Sequence, residues 1–112
     1  MEYSQTELVI EIKKRNMDAF ESLMREHGRA VYYLAYAILQ PRAVKEDVEE
    51  CVSDAFYDAW VKIDEYDETK GGLRNWLLVL VKYKALTYRR RLNKDALINI
   101  DDVALTSPAS VE

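Results

Sequence analysis

Apolar residues recur at three- and four-residue spacing along most of the chain, which is the period of helices with one buried face. Ser4 followed by Glu7 is a capping-box pattern, and it predicts a short helix that ends near Asn16. A long helix is predicted from about Met17 to Leu39, where the recurring apolar residues are Phe20, Leu23, Met24, Val31, Leu34, Ala35 and Ile38.

Two breaks separate the elements that follow. Pro41 lacks an N–H and disfavours helix at the residue before it, so a new helix is expected after it. The apolar stripe of that helix is Val44, Val48, Cys51, Val52, Ala55, Phe56, Ala59, Trp60 and Ile63. Residues 67–75 form a loop by composition, because Gly71 and Gly72 permit backbone angles closed to other residues. A third long helix then starts near Leu73 and runs to about Leu92.

The last twenty residues, 93–112, lose this periodicity and include the segment TSPAS, which is typical of a linker or a frayed tail. The pattern therefore predicts an all-α fold, with a compact three-helix core preceded by a short N-terminal helix and followed by a flexible C-terminal linker. A chain of 112 residues buries one core at most, so we expect one helical domain over residues 1–92 and a linker or disordered tail over 93–112.

Composition excludes several classes of function. Cys51 and His27 are each the only residue of their type, so we expect no disulfide, no metal site and no cofactor, and we interpret His27 as a packed or edge histidine. No apolar run approaches the ~18 residues of a membrane span, and the N-terminus is acidic, so we expect a cytoplasmic protein without membrane insertion. The carboxylates lie on an open helix face without the burial that tunes catalytic acids and bases, so we expect no enzyme.

Charge is divided unevenly along the chain, whose net charge is −4. Residues 44–68 carry ten carboxylates against Lys45 and Lys62, which is either a solvated helix face or a surface for a basic protein partner. Residues 82–94 carry six basic residues and no acidic one. Cations at a helix C-terminus gain about 0.3–1 kcal/mol from the macrodipole, but this does not explain Lys82 and Lys84. A basic stripe beside tyrosines is suited to a nucleic-acid backbone.

Three segments match one known pattern in order and spacing. VEECVSDAFYDAW at residues 48–60 parallels AEDVVQETFLRAW, YDETKGGLRNWL at 66–77 parallels FDPERGSFRAWL without a gap, and DAFESLMREHGRAVYYLAYAIL at 18–39 parallels AFEELYRRYYPLVYRLAYRIL. The pattern is that of region 2 of the extracytoplasmic-function group of bacterial sigma factors, the promoter-recognition subunits of RNA polymerase. The chain resembles this family from about Asp18 to Arg91. The residues in step are Glu49, Glu50, Asp54, Phe56, Trp60, Asp67, Gly71, Arg74, Trp76 and Leu77.

The resemblance implies a function and a set of site residues. It implies that the acidic helix docks on the clamp helices of the polymerase β′ subunit through Glu49, Glu50, Ser53, Asp54 and Tyr57. It also implies that the loop and the third helix melt the promoter −10 element and hold an unstacked base of the non-template strand. The residues implied on that DNA surface are Lys70, Arg74, Asn75, Lys82, Tyr83, Arg89, Arg90 and Arg91. An anti-sigma factor bound to this surface is compatible with the same role.

The chain departs from the family at several positions. Ser53 stands where the family often has Gln, Tyr83 where it often has Asn, and Thr87 where it often has Asp. We therefore expect an altered clamp contact and an altered −10 preference. Nothing after Asn93 matches the second domain of such sigma factors, region 4, so we expect a region 2 fragment, with a natural one-domain protein as the alternative. The alternative function is a helical protein-interaction module whose basic helix binds an acidic protein partner and not DNA.

Overall fold

The all-α architecture is confirmed by the computed structural model, which describes the backbone of residues 3–104 and the side chains of residues 3–95. Four α-helices follow one another along the chain: α1 (Gln5–Lys13), α2 (Met17–Leu39), α3 (Lys45–Lys62) and α4 (Leu73–Ala104). Two short 3₁₀ helices, Ile63–Glu65 and Glu68–Lys70, connect α3 to α4. Within the described residues there is no β-strand.

The helices begin and end where side-chain chemistry directs them. Ser4 caps α1 by accepting the N–H of Glu7 at 3.1 Å, and the Glu7 carboxylate accepts the N–H of Ser4 at 2.9 Å, which confirms the capping box. Asn16 caps α2 in the same way, because its side-chain oxygen accepts the N–H of Asp18 at 3.0 Å. α2 ends before Pro41 and α3 begins after it, as the sequence predicts.

The core lies where α2, α3 and α4 pack against one another, and α1 packs on α2. Each of the three long helices contributes fully buried side chains, and burying one of leucine size stabilises the fold by about 1.5–3 kcal/mol. These residues include Leu23, Val31 and Leu39 from α2, Val48 and Cys51 from α3, and Leu77 and Val81 from α4. Phe20 also meets Phe56 and Trp60 edge-to-face, at centroid distances of 6.3 and 5.0 Å.

α4 is longer than the sequence pattern predicts. The prediction ended it near Leu92, whereas the helix continues to Ala104. The apolar pattern reports burial, and among the described side chains, which end at residue 95, Tyr88 is the last buried one of α4. Residues 93–104 contain no Gly or Pro, so nothing in the backbone chemistry stops the helix at Leu92. The boundary at residue 92 between domain and linker stays a prediction, and residues 105–112 of the predicted linker lie outside the described residues.

Two buried residues have the structural roles that the composition indicated. His27 is 7% exposed, which confirms that it is a packed histidine. Cys51 is buried in the core, and burial raises the pKa of its thiol to about 11, so the thiol stays protonated and unreactive at neutral pH. Among the helices of residues 3–104, none has an apolar stretch that would cross a bilayer.

Candidate functional site

A pocket of about 260 Å³ opens where the loop after α3 meets the first turns of α4. Its floor is partly aromatic and its rim is polar. The lining residues are Glu65, Tyr66, Asp67, Lys70, Gly71, Asn75, Trp76 and Val79. Lys70 and Asn75 are therefore the predicted DNA-binding residues that the fold brings together at this pocket.

The loop that forms the pocket is held in shape by its own contacts. The buried Tyr66 donates its hydroxyl to the carbonyl of Gly71 at 2.8 Å, and its ring lies 5.4 Å from that of Trp76. The Asp67 carboxylate accepts the backbone N–H of Thr69 at 2.9 Å and its hydroxyl at 2.6 Å. These hydrogen bonds lower the pKa of Asp67, because they favour its ionised form. These contacts hold the loop in the shape that forms the pocket.

An exposed polar and basic stripe leads away from the pocket along α4. Asn75, Val79 and Lys82 are exposed at helical spacing, and Arg89 continues the stripe. At 1.5 Å per residue, Asn75 and Arg89 lie about 21 Å apart along the helix axis. Lys82 and Arg89 therefore lie on the side of α4 that carries Asn75.

A second set of α4 side chains faces α3 and contacts its acidic residues. The Tyr88 hydroxyl donates a short hydrogen bond to the Asp54 carboxylate. Lys84 Nζ lies 3.1 Å from Asp58 Oδ2, with both side chains about a quarter exposed. The guanidinium of Arg91 lies over the Tyr88 ring at 4.5 Å. Burial and the Asp54 hydrogen bond both raise the pKa of Tyr88 well above its ordinary value, so it stays a donor.

The predicted polymerase-binding residues lie on α3 and differ in exposure. Glu49, Glu50, Ser53 and Tyr57 are exposed and recur at helical spacing, so they share one open face. Tyr57 is 66% exposed, so its ring is available to a partner. Asp54 is half-buried and bonded to Tyr88, so it faces the α3–α4 contact more than the solvent.

The remaining predicted DNA-binding residues lie away from the pocket. Arg74 turns toward α2, where its Nε donates to Nδ1 of His27 at 3.1 Å. Tyr83 is exposed and lines a separate concavity on the α3 side, together with Asp58, Lys62, Leu80, Lys84 and Thr87. Arg90 donates to the Thr87 hydroxyl at 3.3 Å. The predicted DNA-binding residues that belong to α4 therefore lie on three different sides of this helix.

The predicted DNA-binding set does not include two aromatic residues of the pocket wall. Trp76 packs against the core while also lining the pocket. Tyr66 lies directly before the predicted loop, and its side chain is buried and hydrogen-bonds across the loop. An aromatic residue beside a Gly-rich loop is a weak signal for a pocket, because the same residue types also fill cores.

These features define a helical binding domain with an acidic face on one helix and a loop pocket beside a basic stripe on another. The family model Sigma-70 region 2 matches residues 23–95, which span most of α2, all of α3, the loop and the packed part of α4. The chain belongs to this family. Its members are domains of sigma factors, which act with the RNA polymerase core in promoter recognition and melting, and the family is not an enzyme family. The searches of curated proteins and of solved structures returned no match.

Proposed function

We propose that this chain is region 2 of an extracytoplasmic-function sigma factor, acting in the cytoplasm on the promoter −10 element while docked on the β′ clamp helices of RNA polymerase. The observation that carries the proposal is the loop pocket beside an exposed stripe on α4, with the open acidic face on a different helix, α3. Two partners of opposite charge can then bind at the same time without competing for one surface.

On the DNA side, the pocket receives one unstacked base of the non-template strand. Its volume of about 260 Å³ lies just below the range of about 300–1,000 Å³ that is typical for drug-sized ligands, which suits a single base. Trp76 and Tyr66 supply ring surface, while Asn75 and Lys70 supply the amide and the charge at the rim. Lys82 and Arg89 then follow the strand by its phosphates.

On the polymerase side, the exposed residues Glu49, Glu50, Ser53 and Tyr57 form the docking face. Glu49 and Glu50 are both exposed, so their charges are available to a basic partner. Asp54 belongs to the predicted docking set, but its carboxylate bonds Tyr88, so a change at Asp54 alters the packing of α3 on α4 as well as docking. Glu50 is the better test residue.

The docking claim is tested with a Glu50→Lys variant and a pull-down on an isolated β′ clamp-helix fragment. We expect binding to be weaker by at least about tenfold, because a reversed charge at a complementary interface costs several kcal/mol and about 1.4 kcal/mol is a factor of ten. Glu21→Lys, the same charge change at an exposed position of α2, is the matched control and should bind normally. Equal binding by both variants would contradict the docking claim.

The DNA claim is tested with an Asn75→Ala variant and a labelled single-stranded −10 oligonucleotide, in the presence of core polymerase. We expect binding to be weaker by at least about fivefold, since one well-placed amide contact to a base is worth about 1–3 kcal/mol. Gln5→Ala removes an exposed amide from α1 and should leave binding unchanged. A chain that contacts no DNA in any assembly supports the alternative function, a helical module that binds an acidic protein partner.

A further inference from the structure

A second concavity, of about 450 Å³, lies between α2 and the first turn of α4. It is lined by Arg25, Glu26, Arg29, Ala30, Tyr33 and Arg74, so three guanidinium groups face one carboxylate. Among the residues with described side chains, none of these three arginines forms an ion pair with a carboxylate. A cluster of like charges in one concavity repels itself unless an anion occupies it.

A buried histidine orients one of the three arginines. His27 Nδ1 accepts the Nε–H of Arg74, which requires this nitrogen to be unprotonated. The second nitrogen of His27 lies 3.9 Å from the Glu26 carboxylate. Because the hydrogen bond uses Nε, it holds the guanidinium in place while the two terminal nitrogens stay available as the fork that binds oxyanions.

We propose that this concavity, which we call the arginine cleft (Arg25, Arg29, Tyr33 and Arg74), binds phosphates of the DNA single strand whose base occupies the loop pocket. The proposal rests on the proposed function and adds a second surface to it, on α2. Arg74 and Asn75 are consecutive, and they turn to the cleft and to the pocket respectively, so one strand reaches both.

The chemistry of the cleft fits a phosphodiester strand. Arginine forks match phosphate oxygens, and the N-terminal first turn of α4, where Arg74 lies, favours anions through the helix dipole. Tyr33 is 63% exposed and offers a ring face on which a base can stack. An acidic protein segment would also neutralise the three arginines. It would not explain why the cleft and the loop pocket lie next to each other, as a single strand that occupies both does.

The test measures the affinity of the full chain for a fluorescent oligothymidylate of about twenty nucleotides over a range of salt concentrations. Arg25→Gln and Arg29→Gln should each weaken binding by about two- to fivefold at low salt. Each should also reduce the slope of log affinity against log salt by about 0.7, because one phosphate contact is lost. Arg42→Gln removes the same charge from an exposed position beyond the C-terminal end of α2, and should change neither quantity.

The outcomes separate this inference from the proposed function. If the unchanged chain binds the strand, Asn75→Ala weakens it, and Arg25→Gln and Arg29→Gln behave like Arg42→Gln, the arginine cleft is refuted and the loop pocket stands. If the unchanged chain binds no strand at all, the arginine cleft is refuted, while the proposed function is decided separately by the −10 oligonucleotide experiment with core polymerase. Thermal unfolding of each variant verifies folding, and a loss of binding at an unchanged midpoint supports the cleft.

Discussion

Tyr88 is the residue at which the acidic and basic helices meet. Its hydroxyl bonds Asp54 on α3, its ring lies under Arg91, and it is only 4% exposed. The Asp54 carboxylate is half-buried, so the Tyr88 hydroxyl replaces part of the water that it lost on folding. This contact therefore stabilises the fold whether or not a partner is bound.

Replacing Tyr88 with Phe should destabilise the domain by about 1–2 kcal/mol, because the half-buried Asp54 carboxylate loses its donor while the ring packing is kept. Urea unfolding measures this change in the free energy of unfolding. Tyr83→Phe removes a hydroxyl from a 63% exposed ring on the same helix and should stay within about 0.5 kcal/mol. A Tyr88→Phe variant as stable as Tyr83→Phe would show that the contact contributes nothing net.

His27 makes stability depend on pH. Burial lowers its pKa below the ordinary value, with the nearby Arg74 acting in the same direction and Glu26 opposing it. As pH falls through about 6.5, the unfolded chain takes up a proton that the folded chain does not, so the free energy of unfolding decreases. The decrease stops once pH falls below the pKa of the folded state.

The measurement is the free energy of unfolding in urea at about pH 7.5 and about pH 5.5, for the unchanged chain and for His27→Gln. Both chains share the carboxylates, so the difference between their pH dependences isolates His27. We expect the unchanged chain to lose more stability on acidification than the variant. Identical pH dependences would rule out a lowered His27 pKa.

At the scale of elements, the loop between α3 and α4 depends on one backbone angle. Gly71 has φ of 149°, in a region that residues with a Cβ rarely adopt, and its carbonyl accepts the Tyr66 hydroxyl. Gly72 beside it has no such angle. A Cβ added at either position would meet nothing within 4 Å, so the two differ in backbone conformation and not in steric room.

Gly71→Ala should therefore destabilise the domain by about 1–3 kcal/mol, the cost of holding an L-residue in that conformation, and should weaken strand binding by distorting the pocket. Gly72→Ala should change stability by less than about 1 kcal/mol. Urea unfolding and oligonucleotide binding of the two variants provide the comparison. Equal effects at both positions would contradict the inference that Gly71 and Gly72 differ in backbone conformation.

For the whole molecule, charge is arranged so that two basic residues only two positions apart in α4 have different surroundings. Lys84 is paired with Asp58 against α3, whereas Lys82 is exposed on the stripe that leads from the pocket. Part of the positive charge of residues 82–94 is thus neutralised by contacts within the fold. Fewer cations of this segment are exposed to solvent than its six basic residues suggest.

Lys82→Gln should reduce the salt dependence of single-strand binding, lowering the slope of log affinity against log salt by about 0.7, and should leave stability unchanged. Lys84→Gln should lower the stability and leave the salt slope unchanged. It leaves Asp58 partly buried without its cation, but it removes no phosphate contact. Salt titrations and urea unfolding of both variants are the measurements. Equal slopes for the two variants would contradict the division of the basic residues.

Sequence patterns anticipated the parts of this protein that depend on local chemistry. The capping box at Ser4, the break at Pro41 and the loop at Gly71 each follow from residues close together in the chain. The predicted end of α4 near Leu92 was wrong. A loss of apolar periodicity indicates where burial stops, but the helix can continue beyond that point. The docking and DNA-binding roles of the named residues stay predictions.

The all-α fold, the helix order and the family motifs can be read from the amino-acid sequence alone, because helix period, caps and breakers act over a few residues. The contacts of Asp54 with Tyr88, 34 positions apart, and of Arg74 with His27, 47 positions apart, come from the tertiary structure. It also decided that Arg25 and Arg29 share a cleft with Arg74. Such pairings depend on how the helices rotate and cross, which the packing of the whole core sets and no local pattern records.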